Sequence, residues 1–127
     1  SLDSLKSSNF KKIRGGLDKV PLILYYGYNM KNLKIDYKYN EDMTLKELCD
    51  YIDSTYDEHY SKNKFQATEF IIDGGHGEGF CIGNILKYAQ RYGKKNGKDR
   101  KDLLKVIHYG IIALHVNDME KRDNEIK

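Results

Sequence analysis

The chain contains few or none of several residue types that are typical of common protein classes. Its 127 residues include no tryptophan, one proline and two cysteines. Cys49 and Cys81 lie far apart in sequence and form no CxxC pair, which excludes a disulfide framework and indicates a reducing compartment. No signal peptide is recognisable, and the longest apolar runs, residues 21–28 and 106–114, are too short to span a bilayer. We therefore expect a soluble cytoplasmic protein with no membrane partner.

Familiar catalytic signatures are also missing. The sequence contains no Gly-x-Ser-x-Gly, His-Glu-x-x-His or Cys–His arrangement. The glutamate-rich helices that bind magnesium in all-α nucleotide pyrophosphohydrolases are absent as well. The turn GKKNGKD at residues 93–99 is not a Walker A loop, because three residues rather than four separate its glycines and Asp99 replaces the required Ser or Thr. What remains is a basic turn whose backbone N–H groups can meet an anion near a helix start.

Charge is plentiful but unevenly distributed. The net charge of +3 is too mild to imply bulk attraction to DNA. Between Lys87 and Lys105, eight lysines and arginines face two acids, so this segment carries +6 and the rest of the chain −3. Such a compact basic site indicates an anionic ligand, and phosphate is the expected one. A modest apolar fraction of 39% and eleven tyrosines favour a homo-oligomer, since tyrosine offers amphipathic contact area.

The N-terminal part of the chain predicts a β-hairpin after a flexible arm. Residues 1–16 are polar and serine-rich, which is typical of a loose arm. Residues 20–28 are β-branched and aromatic, and residues 33–39 alternate apolar with polar side chains. Together they predict a hairpin over residues 20–39, with Pro21 at the start of an edge strand.

Helices are predicted for the remainder. Thr44 and Glu47 form a capping box that opens one helix, and residues 66–72 favour a second, short helix. The chain is therefore predicted to be a single α+β domain over residues 1–127, mainly helical, with an N-terminal β-hairpin. Its last elements are a C-terminal helix-turn-helix pair over residues 79–93 and 99–116, capped by Gly93 and Asp99, and a charged, fraying tail over residues 117–127.

The first helix of this pair has two distinct faces at about 100° per residue. Its apolar face predicts the core side and comprises Ile82, Ile85, Leu86, Ala89 and Tyr92. The opposite face gathers Gly83, Asn84, Lys87 and Arg91. The last three follow i, i+3, i+7 spacing, so they can converge on one ligand. The alternative is an ordinary solvated helix face.

The second helix carries a predicted core stripe and a polar flank. On the flank, Asp102, Lys105 and Tyr109 repeat the i, i+3, i+7 spacing. Asp102 either pairs with Arg91 or Lys87 across the hairpin, which fixes the helix–helix angle, or holds a sugar hydroxyl. The core stripe comprises Leu103, Leu104, Ile107, Gly110, Ile111 and Leu114.

The glycine-rich segment 73–79 separates the short helix from the pair. Asp73, His76 and Glu78 lie within six residues here, but three isolated ligands in such a segment are weak evidence for a metal site. We predict no metal site and interpret the segment as a mobile lid or linker.

A set of spaced residues in the second half of the chain resembles the phage SaV-like family, a small family of phage proteins. The resemblance covers residues 59–115. Its most specific part is the G-N-x-x-K-Y-x-x-R core. The residues that carry it are His59-Tyr60, Gln66, Glu69-Phe70-Ile71, Phe80, Gly83-Asn84, Lys87-Tyr88, Arg91, Gly93, Lys95, Asp102-Leu103, Lys105 and Tyr109.

This resemblance implies a role in phage nucleotide metabolism, because the family includes an oligomeric nucleoside monophosphate kinase without a P-loop. Catalysis would then fall to Lys87, Arg91 and Asp102, with the two cations clamping phosphates and Asp102 binding metal or sugar. Lys95 and Lys105 would add positive charge. Mg²⁺ would accompany the nucleotide, and the compartment would be the host cytoplasm.

The resemblance also implies residues that bind the rest of the nucleotide. Asn84 would orient phosphate or ribose. His59 and Tyr60 would stack on the base or hydrogen-bond to it, and Tyr109 would join the ligand-binding set.

Two other functions remain open from the sequence. One is a non-enzymatic protein that sequesters a nucleotide or regulates a host protein. The other is a nucleic-acid-binding module that uses the basic hairpin, which the mild net charge makes the less favoured partner.

Overall fold

The structure, a computed structural model, describes residues 35–57 and 59–127, with the side chains of residues 59–62 left aside. A boundary between two compact units falls after Asp50, and the site described below lies within the second unit, Tyr51–Lys127. None of the helices in the described ranges combines the length and apolarity that crossing a membrane requires. The elements are α1 (Glu41–Asp57), α2 (His59–Ile71), a π-helical turn (Ile72–His76), α3 (Gly77–Arg91) and α4 (Arg100–Ile126).

The predicted α+β fold with an N-terminal β-hairpin is wrong. Residues 35–57 and 59–127 contain helices and turns but no strand, so the fold is mainly helical. Residues 35–39 belong to the predicted second strand, yet they lead directly into α1, where the Tyr39 N–H donates to Glu41 Oε2 at 2.9 Å. A local helix start thus replaces the expected strand end. The rest of the predicted hairpin and the arm at residues 1–16 lie outside the described residues.

The other predicted helices are present, and several of their ends differ. Helix α1 begins at Glu41, three residues before the predicted start at Thr44. The short helix expected over residues 66–72 is the last part of α2. Helix α4 starts after Asp99, as expected, because the Asp99 carboxylate accepts from the Lys101 N–H at 2.9 Å. It then continues to Ile126, well beyond the predicted end at Val116.

The segment interpreted as a lid or linker is instead a helical junction. A π-helical turn joins α2 to α3, and it is broken only at Gly75, whose φ of 85° lies in the left-handed region. Gly77 then opens α3 with an ordinary helical φ of −62° and is buried. A Cβ at this position would lie 2.9 Å from Val116 Cγ2, so the absence of a side chain lets the start of α3 pack closely on α4.

Gly77→Ala is expected to destabilise the fold by about 1–2 kcal/mol, because the new methyl group overlaps the Val116 side chain. Val116 has restricted rotamers, so the steric cost exceeds the free energy gained from the better helix propensity of alanine. Gly83→Ala in the same helix is the matched control. A Cβ at Gly83 would meet nothing within 4 Å, so this change should stabilise by roughly 0.5–1 kcal/mol. Urea unfolding followed by circular dichroism measures both, and equal stability of the two variants would contradict the close packing at Gly77.

The face of α3 that is buried in the structure is not the predicted apolar face. Ile82 and Leu86 are 47% and 64% exposed, whereas Cys81 and Tyr88 are buried. The predicted stripe on α4 is exposed as well, apart from the buried Leu104; its exposed members are Leu103, Ile107, Ile111 and Leu114. The side of α3 that faces α4 carries Cys81 and Tyr88 and lies between the two predicted faces, because two tyrosine rings and an ion pair are packed between the helices.

Candidate functional site

Helices α3 and α4 form an antiparallel hairpin that positions the site. Gly93 follows the end of α3 with a φ of 87°, as predicted for a C′ glycine, and its N–H donates to the Gly97 carbonyl at 2.8 Å. This short turn sets the last turn of α3 against the first turn of α4. The polar residues that the sequence placed on two separate helices therefore meet near the turn.

Arg91 and Asp102 are paired across the hairpin. Arg91 Nε donates to Asp102 Oδ1 at 2.9 Å, and Nη2 donates to the same oxygen. Asp102 is 1% exposed and lies in the first turn of α4, where the helix dipole favours a negative charge. The hydrogen bond to Asp102 raises the pKa of Arg91. The cross-hairpin pairing that the sequence offered as one alternative is thus the arrangement in the structure.

Three positive groups surround the Tyr88 ring. Lys87 Nζ lies 5.1 Å, Arg91 Cζ 4.7 Å and Lys105 Nζ 4.9 Å from its centroid, within the range of cation–π attraction. We call Lys87, Tyr88, Arg91 and Lys105 the cation cluster. Asp102 neutralises one of the three charges and Asp99 also attracts Arg91, so the group keeps a net positive charge around a buried ring. Like charges held this close repel each other, and an anion would relieve that repulsion.

A row of aromatic rings leads away from the cation cluster. Tyr88 stacks on Tyr109 with centroids 5.9 Å apart and planes at 13°, and Tyr109 meets Phe80 edge to face at 5.8 Å. Burial raises the pKa of Tyr109 to about 12, with a further contribution from Tyr88. The Tyr109 phenol is therefore neutral at pH 7. The row connects the two ends of α3 on the side that faces α4.

Asn84 lies between Phe80 and Lys87 along α3. Its Nδ2 donates to the Phe80 carbonyl at 2.9 Å, which commits one of its donors to its own helix. Its Oδ1 is an acceptor, and an acceptor suits a hydroxyl group better than a phosphate oxygen. Of the two roles predicted for Asn84, the geometry favours contact with a sugar.

Several predicted residues are not brought into the cluster. Lys95 is exposed in the turn that joins α3 to α4. The side chains of His59 and Tyr60 lie outside those that the structure describes. Within the described ranges, no group of three or more His, Cys, Asp or Glu residues could hold a metal ion, so Asp73, His76 and Glu78 do not form such a group.

Sequence reasoning missed several residues near the site. Tyr88 belongs to the G-N-x-x-K-Y-x-x-R core, but the sequence assigned no function to it. In the structure its ring is at the centre of the cation cluster. Lys64 and His108 line a small cavity of about 20 Å³ with Lys105 and Tyr109. Burial lowers the pKa of His108, and Lys64 lowers it further, so the imidazole is neutral at pH 7. Lys64 lies in a polar stretch of sequence without helical periodicity. Most residues that line the cavity with it come from other helices, so the spacing within the stretch does not reveal them.

Comparison with curated proteins and with solved structures finds no match. A protein-family model matches residues 54–110, and this segment contains Lys64, the cation cluster and Tyr109. The matching model is that of DUF3310, a family of proteins of unknown function, and it covers somewhat less than half of the chain.

Proposed function

We propose that this protein binds nucleotides by holding their phosphate in the cation cluster. The observation that carries the proposal is the convergence of Lys87, Arg91 and Lys105 on the Tyr88 ring, with Asp102 as their counter-charge. Each cation lies about 5 Å from the centroid of the same ring, so positive charge gathers around one side chain, and phosphate is the anion that we propose for it. The helical stripe that the sequence suggested for phosphate contributes two of the three, and α4 contributes the third.

Arg91 serves two purposes in this proposal. Its bonds to Asp102 use Nε and Nη2, so the Nη1 donors remain for a phosphate oxygen. Asp102 holds the guanidinium plane in place, as a positioning residue. Because Asp102 is almost fully buried and already bonded, we do not assign it to a metal or to a sugar hydroxyl.

The most specific form of the proposal is a nucleoside monophosphate kinase of phage nucleotide metabolism, as the motif resemblance implies. Lys87 and Arg91 would stabilise the transferring phosphoryl group, since phosphoryl transfer depends mainly on positioning and charge. Residues 35–57 and 59–127 contain no group of three or more His, Cys, Asp or Glu that could hold a metal ion, so in this proposal Mg²⁺ arrives with the nucleotide.

A second candidate is a nucleotide-binding protein without catalysis, which sequesters its ligand or regulates a host protein. One observation favours it. The single buried carboxylate at the cluster, Asp102, is engaged by Arg91 and is poorly placed to accept a proton from an attacking phosphate. A nucleic-acid-binding module remains the less favoured alternative, because the net charge of +3 is mild.

Self-association is part of the proposal. The outward apolar face of α3 and α4 exposes Ile82, Leu86, Ile107 and Ile111, and exposed apolar patches are typical of association sites. A second copy of the chain is the partner that we propose for this face. The cation cluster lies on the opposite side of α3 and stays accessible in such an assembly.

Thermal-shift measurements on the full chain test the proposed function. Nucleoside monophosphates and triphosphates should stabilise the protein, with and without Mg²⁺, by about 2.7 kcal/mol at a concentration a hundred times the Kd. Nucleosides without phosphate serve as the control and should give no comparable shift. An accompanying assay for ADP separates the kinase from the sequestering protein. No stabilisation by any phosphate compound would refute the proposal.

A further inference from the structure

A groove beside Phe80 is a concave feature of the described residues that the phosphate site leaves unused. It has a volume of about 360 Å³, within the range of small-ligand sites. Its walls are mostly apolar, and an amide and an ammonium group supply polar contacts. The groove is lined by Asn63, Lys64, Ala67, Thr68, Ile71 and Phe80.

The groove and the cation cluster lie along the same side of α3. Phe80, Asn84, Lys87 and Arg91 follow one another at steps of four, three and four residues, which keeps them on one helix face. Phe80 precedes Lys87 by seven residues, or roughly 10 Å along the axis. The Phe80 and Tyr88 rings are also linked through Tyr109, at 5.8 and 5.9 Å. An extended ligand can therefore reach both the groove and the cluster.

We infer that the groove is the nucleobase subsite of a nucleotide whose phosphate occupies the cation cluster. The base packs against the Phe80 ring and the apolar wall formed by Ala67 and Ile71. The Asn63 amide offers both a donor and an acceptor to the base edge. This inference rests on the proposed function. It assigns recognition of the base to the groove, because contacts to phosphate alone do not recognise that part of the ligand.

The order of chemical groups along α3 supports a nucleotide over other phosphorylated molecules. An aromatic ring comes first, then the Asn84 acceptor oxygen, then the cations. A nucleotide presents the same order as base, sugar hydroxyls and phosphate. Phe80 meets Tyr109 edge to face, so at least one face of the Phe80 ring is not covered by Tyr109 and can receive a base.

Calorimetric titration of the full chain tests the subsite by comparing deoxynucleoside monophosphates with 2-deoxyribose 5-phosphate, which lacks the base. The unmodified protein should bind at least one of the four nucleotides roughly ten- to a hundredfold more tightly than the sugar phosphate. Ala67→Phe fills the groove and should abolish that difference while the Kd for the sugar phosphate stays unchanged. Ala89→Phe is the matched control, since Ala89 is exposed on the opposite face of α3, and should keep the difference.

The outcomes separate the two proposals. Equal binding of nucleotide and sugar phosphate to the unmodified protein would overturn the base subsite and leave the phosphate site standing. A nucleotide preference that survives Ala67→Phe would also overturn the subsite. Binding of neither compound would overturn the proposed function itself, and the subsite with it.

Discussion

Asp102→Ala should lower the free energy of unfolding by about 2–3 kcal/mol, one of the two largest effects expected for this chain. The change removes the acceptor of two Arg91 hydrogen bonds and the buried counter-charge of the cations around the Tyr88 ring. It also removes a negative charge from the first turn of α4. Urea unfolding monitored by circular dichroism measures the loss.

Three further variants separate the effect of the charge from that of side-chain shape. Asp102→Asn keeps the side-chain size and should still destabilise clearly, because the charge is lost. Arg91→Met should be more damaging than Asp102→Asn, since it leaves a carboxylate that is 1% exposed without its partner. The double variant Arg91→Met/Asp102→Leu should recover most of the lost stability, because a well-packed apolar pair replaces a buried ion pair at little net cost. If Asp102→Asn were neutral, the pair would not stabilise the hairpin.

The second large effect concerns ligand affinity. Lys87→Gln/Lys105→Gln should weaken nucleotide binding by roughly a hundredfold, because each lysine supplies a charge-assisted contact to phosphate. The same variant should unfold at the same temperature as the unmodified protein or slightly higher when no ligand is present, since it relieves repulsion within the cation cluster. Calorimetric titration and thermal unfolding measure the two quantities on one sample.

Lys121→Gln is the control for this variant. Lys121 is exposed on the C-terminal part of α4, so the change removes one lysine charge far from the cluster and should leave affinity almost unaffected. Affinity and stability that fall together in the double-lysine variant would show that Lys87 and Lys105 support the fold and do not form a ligand site.

Local signals predicted the helical hairpin well. Gly93 and Asp99 fix the end of α3 and the start of α4 through interactions within a few residues, which a sequence shows directly. The β-hairpin failed for the opposite reason. An alternating pattern becomes a strand only when another strand pairs with it, and residues 35–39 lead into the start of α1 instead.

The faces of the helices were harder to predict than their ends. Helix α3 has an aliphatic side at Ile82 and Leu86 and another side that holds Tyr88, and periodicity alone does not decide which of them meets α4. The pairing of Arg91 with Asp102 was one of the stated alternatives, because both lie near the turn. The position of Lys105 over Tyr88 depends on how α3 and α4 pack together. The spacing of residues within either helix does not predict this contact.

The buried phenol of Tyr109 gives the hairpin a weakness in alkali. An unfolded chain releases a tyrosine proton near the ordinary pKa of 10.0, whereas the folded protein retains the Tyr109 proton until about 12. Below pH 10 both states are protonated, and the contribution of this group to stability is fully present. As the pH rises from 10 towards 12, only the unfolded chain loses the proton, so high pH shifts the folding equilibrium towards the unfolded state. The chain has eleven tyrosines and no tryptophan, so the difference in near-ultraviolet ionisation between the unmodified protein and Tyr109→Phe reports when this phenol becomes exposed.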